Sequence, residues 1–349
     1  MNIENFLDAA KKVLPRKSKN FGSIFDLAKE GTLKDVTYFF EKKSPNVNEK
    51  DSDGWTPLCF AVKKNPNIDV LRYFISQGAD ANVKTNSGRT LLHLAAQGNS
   101  NIAVLRFIIS SLGANVDAKA NNGSTPLHDA SGVNSNVEIL KFLVSQGAKV
   151  TVKNKEGYTP LHHAAEGNSN VEVLKYLISQ GADVNAKSST GKMPLHSAAL
   201  CNKNVEVVKF LIANKAKIDG KCDGGGTPIC YAGKNMNVEV TEFLLSKGAD
   251  INGSPDGIQT PIYVASLSGN FEVAKFLISK GANIHANSTS ETPLHAAALS
   301  GNIKVVDLLI SKGADINAKA PRTGKTPLSY AKDQGITAMV TYLSSIGAK

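Results

Sequence analysis

Apolar positions in this chain recur with the period of a helix, and the helices themselves recur. In VEVLKYLISQG (171–181), Val171, Val173, Leu174, Leu177 and Ile178 fall on one face at helical spacing. Gly181 follows as a left-handed cap. The preceding stretch, LHHAAEG (161–167), reads as a shorter helix of small residues opening on Thr159-Pro160. Proline at the first helical turn forfeits no hydrogen bond. The Thr hydroxyl is a good N-cap, able to accept an orphan backbone N–H. Polar turns, EGYTP (156–160) and GNSN (167–170), bracket this helix, and ADVNAK carries the chain extended toward the next turn.

The unit repeats along the chain. Thr-Pro-Leu or a close variant starts at Thr56, Thr90, Thr125, Thr159, Thr227, Thr260, Thr292 and Thr326, with Met193 in the Thr position of one copy; the steps are 34, 35, 34, 34, 34, 33, 32 and 34 residues. A fixed period of this length marks a repeat array. One helix pair cannot bury its own apolar face, so each unit must stack on its neighbours. The alanines of the first helix allow close approach, and the Val/Leu/Ile stripe of the second fills the space. The pattern predicts an all-α array of ten units. A degenerate unit at 22–50 caps the start, eight tandem units occupy 51–320, and 321–349 caps the end. Interhelix loops are one residue longer from about 51 to 253 than at Gly269-Asn270 and Gly301-Asn302.

The Thr-Pro-Leu-His opening, the paired alanines and the GADVNAK exit resemble the ankyrin-repeat family over about residues 22–349. The resemblance implies a solenoid of helix-turn-helix units with β-hairpin-like loops. It also implies non-enzymatic protein–protein recognition through a concave face lined by hairpins and first helices. In that family the Thr-Pro-Leu-His histidine bridges neighbouring units, which gives His93, His128, His162, His196 and His295 a structural role. Stacked roughly 10 Å apart, they are too distant to share one metal.

The same resemblance places binding at the hairpin tip, just before the Thr, and on the first helix. These positions vary from unit to unit while the frame repeats. They single out Trp55, Phe60, Arg89, Tyr158, His163, Lys192 and Tyr231 as partner-binding residues. Trp and Tyr are the usual anchors of protein interfaces; Trp55 can alternatively cover the first cap.

Charge adds a second surface. The net charge is +10, and Arg occurs at only five positions. A lysine-rich surface attracts acidic partners at long range but lacks the bidentate fork that reads bases or clamps phosphates. An acidic protein partner is therefore favoured over nucleic acid. Lys84, Lys119, Lys153, Lys187 and Lys221, with Lys50 and Lys319, recur at the end of the exit segment. As a basic stripe along the hairpin edge they offer the alternative function, nucleic-acid or polyanion binding.

No P-loop, GxSxG, HExxH or dinucleotide fingerprint occurs. Cys59, Cys201, Cys222 and Cys230 form neither a CxxC pair nor a zinc pattern. The reading is no enzyme, no cofactor and no metal. No run of 18 apolar residues and no secretory signal is present. A monomer is expected in the cytoplasm, or delivered into a host cytosol without a signal. Residues 1–21 predict a short helix (Ile3, Phe6, Leu7, Ala10) followed by basic residues and stopped at Pro15. It could pack on the first cap, bind a partner groove, or touch an anionic membrane.

Residues 214–257 depart most from the frame. Lys215 stands where a capping Gly is expected, three glycines (224–226) precede Thr227, and Gly233 replaces an alanine. A lysine cap must be strained or differently built, and a Gly inside a helix costs roughly 1 kcal/mol relative to Ala. This unit is expected to open most readily. An enzyme site in this irregularity is the third alternative.

Overall fold

The computed structural model describes residues 19–253, 259–286 and 291–349. The short N-terminal helix expected on Ile3, Phe6, Leu7 and Ala10 and stopped at Pro15 lies outside them. Among the described residues there are twenty α-helices, arranged as ten consecutive pairs, and extended pairing takes the form of isolated bridges such as the antiparallel one between Lys84 and Thr90. The all-α helix-pair architecture of the sequence is therefore present, and every Thr-Pro-Leu anchor opens a helix.

The helices form two compact units. The first runs to Ala164 and includes Glu172–Ala182. Its complete pairs are Ile24–Glu30 with Leu33–Lys42, Pro57–Lys64 with Ile68–Ser76, Leu91–Gly98 with Ile102–Ser110, and Pro126–Val133 with Val137–Ser145. Leu58, Leu92 and Leu127 from first helices, and Leu71, Phe74, Leu105, Ile108 and Leu140 from second helices, are withdrawn from solvent. They are the stripes that helical periodicity marks.

The second unit comprises Ala165–Val171 and Asp183–Lys349. Its complete pairs begin at Pro194–Cys201 and end at Pro327–Asp333 with Thr337–Ser345. One continuous cluster, with Ile262, Leu277, Leu294, Leu309, Leu328 and Leu343 among its members, fills the second unit from Ile262 onward.

Asparagines settle why the interhelix loops come in two lengths. In the longer loops two Asn divide the work. Asn99 donates its side-chain N–H groups to the carbonyls of Val62 and Asn65 in the preceding pair, both at 2.9 Å. Asn101 caps the next helix by accepting from Ala103 N–H at 2.9 Å. Asn134 with Asn136, Asn202 with Asn204 and Asn235 with Asn237 repeat the scheme. In the shorter loops one residue does both tasks. Asn302 donates to Gly269 O at 2.7 Å and accepts from Lys304 N–H at 3.1 Å. These carboxamides satisfy helix C-terminal carbonyls that would otherwise be buried without donors.

The irregular unit corrects two expectations. Its first helix, Pro228–Ala232, has five residues where most have eight. Gly233 is therefore the residue that ends this helix, not one in its interior. A Cβ there would lie 2.9 Å from Pro261 O and 3.0 Å from Ala265 N, so glycine is required by the close approach of the next pair's first helix, Pro261–Leu267. The three glycines form an ordinary tip turn, with Gly225 alone at positive φ (74°). Lys215, of the two options, takes the strained one: its φ is 68°, alone among described non-glycine residues in the left-handed region.

Candidate functional site

The hairpin tips are fixed from two sides. Within the fully described tips a backbone bond closes the turn, as from Asn154 N–H to Tyr158 O (2.9 Å), from Thr85 N–H to Arg89 O (3.1 Å) and from Ser188 N–H to Lys192 O (2.8 Å). Where the residue just after a stripe lysine carries an acceptor, as at Thr85, Asn154 and Ser188, its side chain then accepts the tip's own N–H. Asn154 Oδ1 accepts from Tyr158 N–H at 2.9 Å, and Thr85 Oγ1 from Arg89 N–H at 3.2 Å.

The second constraint comes from the buried histidines. Nδ1 of His128 accepts from Thr125 N–H at 3.1 Å, so the ring proton sits on Nε2 and is donated to Tyr158 O at 3.0 Å. His93 reaches Ser124 O, His196 reaches Gly226 O, and His295 reaches Lys325 O in the same way. Each histidine thus holds the tip of the following repeat by its backbone and leaves the tip side chain undetermined. Burial lowers all four imidazole pKa values below the usual histidine range, to about 4 for His128 and for His196. At neutral pH they are neutral, as this hydrogen bonding requires.

The histidines also change the N-cap. Where His is present, the Thr hydroxyl faces its Nδ1, as in Thr90–His93 and Thr125–His128, both at 2.9 Å. The expected acceptance of a backbone N–H by Thr occurs instead where His is absent, at Thr260 from Tyr263 N–H and at Thr326 from Ser329 N–H, both at 3.3 Å.

Tip and first-helix side chains meet. In the first unit Trp55 and Phe60, both half-buried, lie 5.1 Å apart. Phe60 packs edge-on against Phe25 at 5.5 Å, while Lys63 and Lys29 cover Trp55 and Phe60. Tyr158 lies 6.4 Å from His163, whose ring also contacts His128 at 5.1 Å. Arg89 is engaged within the protein: its guanidinium holds the buried Asp129 carboxylate with two bonds of 2.9 and 3.3 Å.

In the second unit the Lys192 ammonium sits over the Tyr231 ring at 5.0 Å. First-helix positions carrying smaller residues, Leu94, Ser197 and Ala296, are buried, whereas Phe60, His163 and Tyr231 remain half-exposed. Lys84, Lys119 and Lys153 of the first unit, and Lys187 and Lys221 of the second, are all exposed at the hairpins.

Two constellations escape sequence reading. The buried Asn ladder is one, although its recurrence at 65, 99, 134, 168, 202 and 235 follows the repeat period. The other is Glu291, whose two oxygens accept from Tyr263 at 2.7 Å and Tyr330 at 2.8 Å. Tyr263 stands where the histidine would be, and its longer ring reaches a side chain instead of a backbone carbonyl. Burial and the Glu291 carboxylate push its hydroxyl pKa up.

Burial likewise raises the pKa of the Cys59, Cys230 and Cys201 thiols, the direction opposite to an activated nucleophile. Among the described residues, no three His, Cys, Asp or Glu side chains converge as a metal-binding group. None of the described helices is long and apolar enough to cross a membrane.

Helix pairs on a 34-residue period, histidine bridges and hairpin tips define an ankyrin-repeat architecture. The family description for ankyrin repeats in three copies matches residues 24–120, 99–188, 170–255, 252–320 and 286–349. The chain belongs to the ankyrin-repeat family, whose repeats are generally protein–protein interaction modules on a typically non-catalytic fold. The crystal structure of the human ASB11 ankyrin repeat domain is similar to it, with a TM-score of 0.51 and 29% identity, covering 62% of this chain and 97% of that one. No curated protein matches the chain.

Proposed function

We propose that this protein is a non-catalytic, monomeric, cytosolic binder. It recognises a protein partner with an acidic surface through the face shared by hairpin tips and first helices. One observation carries the reading: large side chains at the two variable positions meet in half-exposed clusters, on a backbone that at Tyr158 the buried His128 already holds. Such a surface costs little to order on binding, so a few aromatic groups can supply most of the affinity. Trp55, Phe60, Tyr158 and His163 are the anchors in the first unit, and Lys192 and Tyr231 in the second. Arg89 contributes its exposed edge while it stays paired with Asp129. Inhibition of the partner and scaffolding are both served by this arrangement.

Capture from cell lysate and mass spectrometry identify the partner, and surface plasmon resonance then tests the face. Trp55→Ala or Tyr158→Ala should weaken binding by about 1–3 kcal/mol with little change in melting temperature. Unchanged affinity in both, with contacts mapped to the second helices, would reject the assignment. The exposed hairpin lysines Lys84, Lys119, Lys153, Lys187 and Lys221 support a second reading, polyanion binding. Heparin retention that collapses at moderate salt, with no protein partner recovered, would favour it.

A further inference from the structure

We propose that the cleft beside Gly226 in the second unit is a preformed socket for a single acidic side chain, glutamate or aspartate, of the protein partner. The inference deepens the function proposed above and rests on it only in taking the ligand to be part of a protein.

Gly226 occupies the hairpin-tip position, where other repeats carry Trp55, Arg89, Tyr158, Lys192 or Gln259. With no side chain there, a cleft of about 300 Å³ opens beside the tip. Tyr231, Cys230 and Val264 form its apolar wall, and Lys192 and Lys234 also line it. No carboxylate is among the described residues that line it.

The walls are held in place. Gly226 O accepts from His196 Nε2–H at 3.2 Å and from Cys222 N–H at 3.0 Å. The Tyr231 hydroxyl contacts Cys222 Sγ at 3.4 Å, and its ring stands edge-on to His196 at 5.3 Å. A Cβ added at 226 would already lie 3.2 Å from the Tyr231 ring, so the cleft depends on the glycine.

Size and charge then choose the occupant. The volume is at the small end for ligand sites, and suits one side chain with its methylenes against Tyr231 and Val264. The Lys192 ammonium, stacked over Tyr231 at 5.0 Å, and the exposed Lys234 give the cleft a positive potential. A carboxylate is the complementary group, and lysine, a compact point charge, takes it without demanding the geometry that arginine imposes.

The test is a nuclear magnetic resonance titration of the ¹⁵N-labelled full chain. The probes are N-acetyl-glutamyl-amide and its neutral glutaminyl counterpart. The expected result is saturable shifts of the Gly224, Gly225 and Gly226 amides with the glutamyl probe. Binding of the glutaminyl probe should be about fivefold weaker, the factor that a half-exposed charge pair commands. Gly226→Gln, which fills the cleft, and Lys192→Ala/Lys234→Ala, which removes its charge, should each abolish the difference between the probes. The remaining amides report that both variants are folded.

Equal binding of the two probes overturns the proposal. So do glutamyl shifts that persist in the double lysine variant. Inorganic phosphate moving the same amides at lower concentration overturns the choice of a carboxylate. Because no partner protein is used, these outcomes are independent of the Trp55 and Tyr158 binding measurements.

Discussion

At the scale of single residues, the structure isolates positions where one atom group decides an energy. Lys215 carries the cap bonds of its glycine counterparts, with its N–H reaching Ile212 O and that of Ala216 reaching Leu211 O, both at 3.0 Å. A side chain in the left-handed region costs about 1–2 kcal/mol, part of which glycine gives back through unfolded-state entropy. Lys215→Gly should therefore stabilise the protein by about 0.5–1 kcal/mol, read from the denaturant midpoint.

The buried histidines set an acid limit. Their folded pKa values are depressed, so the unfolded chain binds more protons below the usual histidine value. The stability they contribute is complete above about pH 6.5 and is lost as pH falls toward about 4 for His128 and His196. The melting temperature should decline across that window, and less steeply in a His128→Asn/His196→Asn variant, which has nothing to protonate there. A flat profile in the parent protein would contradict the neutral, doubly bonded imidazoles.

At the scale of elements, asparagine and glycine govern how one helix pair meets the next. Asn99→Ala would strip donors from two buried carbonyls, and each unsatisfied group costs about 1–3 kcal/mol. The loss should clearly exceed that of Asn101→Ala, whose donor is exposed and serves Pro66 O. Paired chemical denaturation of the two variants checks the order. Gly233→Ala separates two views of the irregular unit. Propensity alone predicts a gain from replacing glycine, whereas contact with Pro261 O at 2.9 Å requires a loss. The substitution should destabilise, and hydrogen exchange through 228–246 should accelerate.

At the scale of the whole molecule, the net charge of +10 acts on encounter more than on the bound state. Once a partner is in hand, raising salt should slow association strongly and change dissociation little. Lys192→Glu should slow association most at low salt. Association insensitive to salt would remove the acidic partner from the reading. Repeat arrays draw stability from nearest-neighbour interfaces, so each buried Asn and His bridge acts on its adjoining pairs.

The period, the helix-pair unit and the ten-fold count are legible in the chain itself, because stacking demands like residues at like places from unit to unit; the structural role of the histidines is what the family resemblance implies. The variable positions are legible for the converse reason. What those positions touch is decided only in three dimensions. Arg89 is spaced like Trp55, yet Asp129, 40 residues on, claims its guanidinium. Gly233 looks like a weak helix residue until the first helix of the next pair arrives within a Cβ radius. Tyr263, reading as an ordinary substitution for histidine, finds Glu291 in the next repeat, shared with Tyr330 two repeats on. Local pattern encodes propensity and burial, whereas a contact across repeats depends on the distance between two backbones, which no single segment contains.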